Sequence, residues 1–206
     1  MEQALAAALE GRSCCIGQIA IRNRSGGGFV LTHRDDVERA SLAPGAPIEL
    51  AKFDDGGNYR PLKTAPNLRH GWRVEVIALS ELARALDDFY PGRLGMLVAW
   101  EKNRLATTPL RETLDRQSGI YRIAAKISDE QIDDTVGSFC RSDGGCLRTI
   151  LWKRDAGGAA PSTRLPPEKF DRGHDQTGRG QAAIPLLCQE ACNLLVNACR
   201  KVVKGE

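Results

Sequence analysis

The sequence predicts an α+β fold, with a small antiparallel sheet and helices first and a mainly helical, cysteine-bearing part after it. Three observations carry that reading. Strand-like runs cluster before residue 80, helical periodicity takes over from Ser80, and four cysteines fall in two close pairs in the second half. Strands gathered early, rather than alternating with helices, favour antiparallel pairing.

Residues 2–11 (EQALAAALEG) are good helix formers and predict a short helix. Ile16–Arg22 and Gly28–His33 read as two strands joined through the turn Ser25–Gly28, a hairpin. Pro47–Phe53 reads as a third strand, ended by Asp54-Asp55-Gly56-Gly57. Trp72–Leu79 is a fourth, with Trp72, Val74, Val76 and Ala78 on one face. Ser80 is placed to N-cap a helix over Glu81–Tyr90 whose apolar face is Leu82, Leu86 and Phe89. Pro91 stops it and opens a helix over Gly92–Asn103. Ser128 with Gln131 forms a capping box for a helix reaching Cys140. Cys146–Trp152 fits a strand or a short helix, and Pro185–Val203 reads as the final helix. The Gly-, Pro- and charge-rich stretch 154–184 predicts a mobile loop. The chain thus divides into an α+β part, 1–90, and a helical part, 91–206.

Composition narrows the function classes. A net charge of +3 and an aromatic content of 5% give no basis for a nucleic-acid surface. No apolar run reaches membrane-spanning length, and the acidic, alanine-rich N-terminus is not a signal peptide, so a cytoplasmic location is expected. In a reducing compartment seven cysteines, an odd number, point to metal or redox chemistry rather than disulfides.

Cys140 and Cys146 are separated by RSDGG, and Cys188 and Cys192 by QEA. On a helix, positions i and i+4 share a face, so Cys188 and Cys192 can address one ion or cluster. Gly144 and Gly145 let the first pair fold tightly. Together the pairs form a four-thiolate site for an iron–sulfur cluster or, alternatively, zinc. The five-residue spacing is long for zinc, and Arg141, Arg148, Lys153, Arg154 and Arg200 are near enough in sequence to offset a cluster's negative charge. Cys199 reads as core. Cys14 and Cys15 begin a strand, where alternation buries one and exposes the other.

Two basic segments stand apart. YRPLKTAPNLRHGW (59–72) holds Arg60, Lys63, Arg69 and His70, and PLRETLDRQSGIYR (109–122) holds Arg111, Arg116 and Arg122. Such clusters suit a carboxylate- or phosphate-bearing partner, but pairing with nearby acids is the more common use of surface cations. The histidines, His33, His70 and His174, read individually as hydrogen-bonded structural residues.

The two basic segments, LDDFYPG and the cysteine pairs ending in CQEACNLL resemble the 4Fe-4S module attached to long sirohydrochlorin cobaltochelatases of the anaerobic cobalamin pathway. The resemblance implies a stabilising α+β part followed by a cluster-binding part with Cys140, Cys146, Cys188 and Cys192 as ligands. This sequence leaves no segment for a chelatase domain, so it implies no catalytic residue and an accessory or electron-transfer role beside a separate chelatase or redox protein. The alternatives are a tetrapyrrole-binding, chelatase-like protein and a zinc-stabilised interaction module. In the first, Arg60, Lys63, Arg69, Arg111, Arg116 and Arg122 clamp an anionic tetrapyrrole and His70 handles metal or proton.

Overall fold

The computed structural model describes residues 5–7, 9, 13–119, 122–140, 145–158 and 182–206. The architecture is α+β. In chain order the elements are β1 (Cys14–Ile16), β2 (Ile19–Asn23), β3 (Phe29–His33), a 3-10 turn (Arg34–Asp36), β4 (Ala43–Pro44), α1 (Pro47–Lys52), β5 (Trp72–Val76), α2 (Leu79–Phe89) and α3 (Arg93–Glu101). There follow α4 (Leu110–Ser118), α5 (Ile123–Lys126), α6 (Asp129–Cys140), β6 (Thr149–Ile150), β7 (Ala182–Ile184), β8 (Leu187–Cys188) and α7 (Asn193–Lys204). Of the N-terminal helix expected over 2–11, residues 5–7 are helical and most of the rest lies outside the described residues. The greater part of the 154–184 loop also lies outside them.

The chain divides into two compact units. The first runs to Asn103 and takes in the returning segment through Leu186; the second runs from Arg104 and resumes at Leu187.

The first unit is built on a six-stranded sheet in the order β4-β5-β3-β2-β1-β7. The expected hairpin is present as β2–β3, in register from Ile19 opposite His33 to Asn23 opposite Phe29. The central pairs are antiparallel, whereas the two outermost, β4–β5 and β1–β7, are parallel. β5 alternates as expected: Trp72 and Val74 are buried while Arg73 and Glu75 are exposed. Helix α2 buries Leu82, Leu86 and Phe89, and Trp72 stacks on Phe89 with ring centroids 5.1 Å apart.

Four local expectations are corrected. Pro47–Lys52 is a helix, not a strand: Pro47 occupies its first turn, where a missing N–H costs nothing, and the adjacent residues Leu50 and Ala51 are both buried. Helix α2 is capped not by Ser80 but by Glu81, whose carboxylate accepts the N–H groups of Ile77 (2.8 Å) and Ala78 (3.4 Å). Cys14 and Cys15 are both buried, because β1 lies inside the sheet between β2 and β7 with both faces covered. The helix expected over Pro185–Val203 begins only at Asn193, since Leu187–Cys188 is drawn into a parallel pair with β6.

The second unit packs α6 and the short helices α4 and α5 around α7. Its core includes Leu114, Ile132, Val136, Trp152, Leu195 and Val196. The capping box at α6 is formed: Gln131 N–H donates to Ser128 Oγ at 3.1 Å, and Ser128 N–H to Gln131 Oε1 at 3.0 Å.

Gly17, in the β1–β2 turn, has φ +55°, and a Cβ there would lie 2.6 Å from Tyr90 Oη. That hydroxyl accepts the Gln18 N–H at 3.0 Å, so the glycine, the turn and Tyr90 form one constraint. Gly17→Ala is expected to destabilise the chain by about 1–3 kcal/mol. Gly26→Ala, where a Cβ meets nothing within 4 Å, is expected to stay within about 0.5 kcal/mol of the parent. Urea denaturation of both variants checks the contrast.

Candidate metal centre

The four paired cysteines meet at one place in the second unit. Cys140 is the last residue of α6, Cys146 lies three residues before β6, Cys188 ends β8, and Cys192 is the N-cap residue of α7. All four line a single cavity together with Phe139, Arg148, Ile150, Trp152, Ala191 and Leu195.

Each position has a local cause. The capping box starts α6 so that its C-terminus delivers Cys140, and the Cys146 N–H returns to the Cys140 carbonyl at 3.2 Å. Cys188 is placed by sheet pairing. Leu151 N–H donates to its carbonyl at 2.9 Å, and Thr108 N–H fixes the next carbonyl, Gln189, at 3.0 Å. Cys192 takes extended backbone at the start of α7, its carbonyl accepting the Val196 N–H at 3.0 Å. The second pair therefore converges from a strand and a helix cap, not from one helical face as the i, i+4 spacing implies.

The cavity is apolar apart from its sulfurs and Arg148, which suits a group whose ligands are soft thiolates. Trp152 is fully buried and aims its indole N–H at Cys188 Sγ, 3.4 Å away. The same thiol donates to the Glu190 carbonyl at 3.2 Å. Cys140 and Cys188 are buried, whereas Cys146 and Cys192 are half-buried, so one side of the cavity lies nearer solvent. Of the cations expected nearby, Arg148 lines the cavity. Arg154 pairs with Asp133 (3.1 Å) and Asp129 (3.6 Å), Arg200 donates to the Gln117 carbonyl, and Arg141 lies outside the described residues. The sequence carried no signal for Trp152 as a sulfur partner.

The second half of the chain, residues 102–201, matches the family model of a 4Fe-4S iron–sulfur cluster binding domain, and residues 1–103 match that of the DR2241 stabilising domain. The chain belongs to the family of the DR2241 stabilising domain. It carries a 4Fe-4S cluster-binding domain behind a stabilising domain, and four thiols in one apolar cavity suit that cofactor. The zinc alternative is set aside on the same match.

Among solved structures, the chain is similar to DR2241 from Deinococcus radiodurans, with 29% identity and a TM-score of 0.71. That protein is described as a multi-domain protein with structural similarity to chelatases and two additional novel domains. The similarity covers 100% of this chain and 41% of DR2241, so the chain spans well under half the length of that relative. No curated protein matches the chain. No helix among the described residues is long and apolar enough to cross a membrane.

The basic residues are held by internal partners. Arg60 is 1% exposed; its guanidinium donates to Asn67 Oδ1 (2.8 Å) and to the carbonyls of Ala51, Lys63 and Ala65. Lys63 donates to the Ala51 carbonyl and lies over the Tyr59 ring, and Arg69 donates to the Glu49 carbonyl. His70 lies between Asp36 and Asp55. Arg111 bonds Asp129, Asp155 and the carbonyls of Ala124 and Ile127, and Arg116 pairs with Glu190. The acids that answer Arg111 and Arg116 are thus not their sequence neighbours Glu112 and Asp115.

Cys199 is fully buried in the core, and burial pushes its thiol up to about 11, so it stays protonated at neutral pH. Cys199→Ala is expected to cost about 1 kcal/mol and to leave bound iron unchanged. Iron assay beside a denaturation curve checks both parts.

Proposed function

We propose that Cys140, Cys146, Cys188 and Cys192 are the ligands of the 4Fe-4S cluster, and that the module passes single electrons to or from a tetrapyrrole chelatase of the cobalamin type. The observation that carries the ligand assignment is the convergence of these four thiols on one apolar cavity. When bound, the cluster supplies a one-electron store at a potential set by its surroundings.

This chain's residues then have distinct tasks. Trp152 holds its N–H toward Cys188 sulfur, and such a hydrogen bond favours the more negative, reduced state. Arg148 acts in the same direction through its charge. Ile150, Leu195 and Phe139 keep water from the inner face. The half-buried Cys146 and Cys192 leave the opposite edge near the surface, which suits exchange with a docked partner rather than a purely structural cluster. The chelatase association draws support from the chelatase-like similarity described for DR2241 and from the sequence resemblance. A tetrapyrrole clamp built on Arg60, Lys63, Arg69, Arg111 and Arg116 would have to exchange their internal bonds for substrate. The cluster reading requires no such exchange and is preferred.

The test is anaerobic purification with visible absorption, iron and sulfide assays. The parent is expected to hold about four irons and four sulfides per chain. Serine at any one of Cys140, Cys146, Cys188 or Cys192 is expected to lose most of the charge-transfer absorption. Full iron and an unaltered spectrum in all four variants would remove the ligand assignment. Trp152→Phe is expected to keep its iron and shift the midpoint potential to a more negative value in a redox titration; an unshifted potential would take the tuning role from Trp152.

A further inference from the structure

In the first unit, three side chains that the cluster does not use come together. His33 ends β3, Asp36 ends the 3-10 turn that follows it, and His70 lies just before β5. One ligand atom from each lies within 4.8 Å of the other two. We propose that His33, Asp36 and His70 form a second metal site, which takes a divalent late first-row transition ion of the zinc type, independently of the cysteines.

Two imidazoles and one carboxylate are the donor set such ions prefer over the oxygen-only sets of calcium or magnesium. Each ligand is held by the fold. Asp36 is nearly buried, and its Oδ2 accepts the Gly71 N–H at 2.5 Å, which turns Oδ1 toward His70 Nδ1 at 3.5 Å. The other ring nitrogen of His70, Nε2, is 3.7 Å from Asp55 Oδ2. A proton on Nε2, directed at Asp55, leaves the Nδ1 lone pair facing a carboxylate oxygen, an arrangement that a cation between them relieves. A carboxylate behind a histidine in this way also fixes the tautomer of metal-binding imidazoles.

His33 is fully buried, and its ring lies 3.8 Å from that of His70, tilted by 52° rather than stacked flat. The competitors are identifiable. Arg39 reaches Asp36 Oδ1 at 3.3 Å but is more than half exposed and free to swing outward. The Asp35 N–H approaches His33 Nδ1 at 3.2 Å, and the Gln18 amide nitrogen lies 3.2 Å from His33 Nε2, so an ion on His33 displaces one of two long contacts. The Asp35 carboxylate, 3.6 Å from His33 Nδ1, adds negative charge. His70 is 41% exposed, which gives an ion a way in. Three protein ligands leave coordination open to water or to an exchanging partner.

The test uses the full, cluster-loaded chain, titrated with zinc by calorimetry after exhaustive dialysis, with metal counts by mass spectrometry and zinc-edge X-ray absorption. The expected result is one zinc per chain beyond the iron, with nitrogen and oxygen scatterers near about 2.0 Å and no sulfur shell near about 2.3 Å. His70→Ala, at a half-exposed side chain, is expected to weaken zinc roughly tenfold or more while iron content and circular dichroism stay unchanged. Asp36→Asn is expected to weaken it likewise. No zinc beyond the iron, a sulfur shell around it, or unchanged affinity in His70→Ala would each overturn the proposal; an imidazolium–carboxylate pair would then account for the contact between His70 and Asp36. The His70→Ala and Asp36→Asn results do not bear on the cysteine ligand assignment, whereas a sulfur shell would implicate thiols.

Discussion

The two-residue parallel pair of β6 with β8 is the constraint on which the cysteine cavity depends. Thr149 and Ile150 lie opposite Leu187 and Cys188, and the Leu151 N–H closes the ladder on the Cys188 carbonyl. These segments are distant in sequence, so the closure entropy of everything between them is spent before the first hydrogen bond forms. Its consequences are local. Cys188 is set beside Trp152, the next carbonyl is taken by Thr108, and the chain has three residues in which to turn before Cys192 caps α7. A helix through 185–192 would satisfy the backbone equally well, but it would leave the Leu151 N–H without the Cys188 carbonyl and swing Cys188 away from the indole.

What keeps β6 in place is a second set of contacts in the segment just after the strand. The N–H groups of Leu110 and Arg111, at the start of α4, donate to the carbonyls of Lys153 and Arg154 at 2.9 and 3.0 Å. The Arg111 side chain then reaches Asp155, Asp129 and the carbonyls of Ala124 and Ile127. Arg154 turns to Asp129 and Asp133 on α6. Isolated surface ion pairs contribute little, but here two part-buried guanidiniums tie the start of α4, the end of α5, the start of α6 and the segment after β6 into one network. Since α6 ends at Cys140, the network fixes the distance between the helix that carries the first cysteine and the strand pair that carries the third.

The parts of the fold legible in sequence were those with a local cause. The β2–β3 hairpin, the alternation of β5, the apolar face of α2 and the Ser128–Gln131 box each follow from residues within one or two turns of one another. The misread parts had two origins: the Glu81 cap and the Pro47 helix are local alternatives within ambiguous sequence, and the others were decided elsewhere in the chain. Pro47–Lys52 has the composition of either element, and Pro47 in the first turn with adjacent burial at Leu50 and Ala51 settles it as a helix. Cys14 and Cys15 are both inside because β1 is an interior strand, paired with β7 from far away in sequence and covered on both faces. For the metal centre, residue type and clustering were readable, while the elements carrying Cys188 and Cys192 were not, because their geometry belongs to the β6–β8 pair. Trp152 was invisible for the same reason: nothing in its neighbourhood along the chain predicts a sulfur partner 36 positions on.

The uneven burial of the four thiols bears on what the site can do. A fully enclosed cluster would be well protected but would lengthen the tunnelling path to any partner; a fully open one would be exposed to oxidation and to water that levels its potential. Here the inner pair, Cys140 and Cys188, sits among Ile132, Val136, Trp152 and Leu195 of the core, while Cys146 and Cys192, which line the same cavity as Arg148, are only half-buried. The inner thiols also belong to regular elements, the end of α6 and β8, whereas Cys192 is a helix cap and Cys146 lies outside helix and strand. The enclosed side therefore dominates the electrostatic environment, and the half-buried side lies nearer solvent. The proposed electron-transfer role requires such a reachable edge, whereas a structural staple would be served equally well by burial of all four ligands.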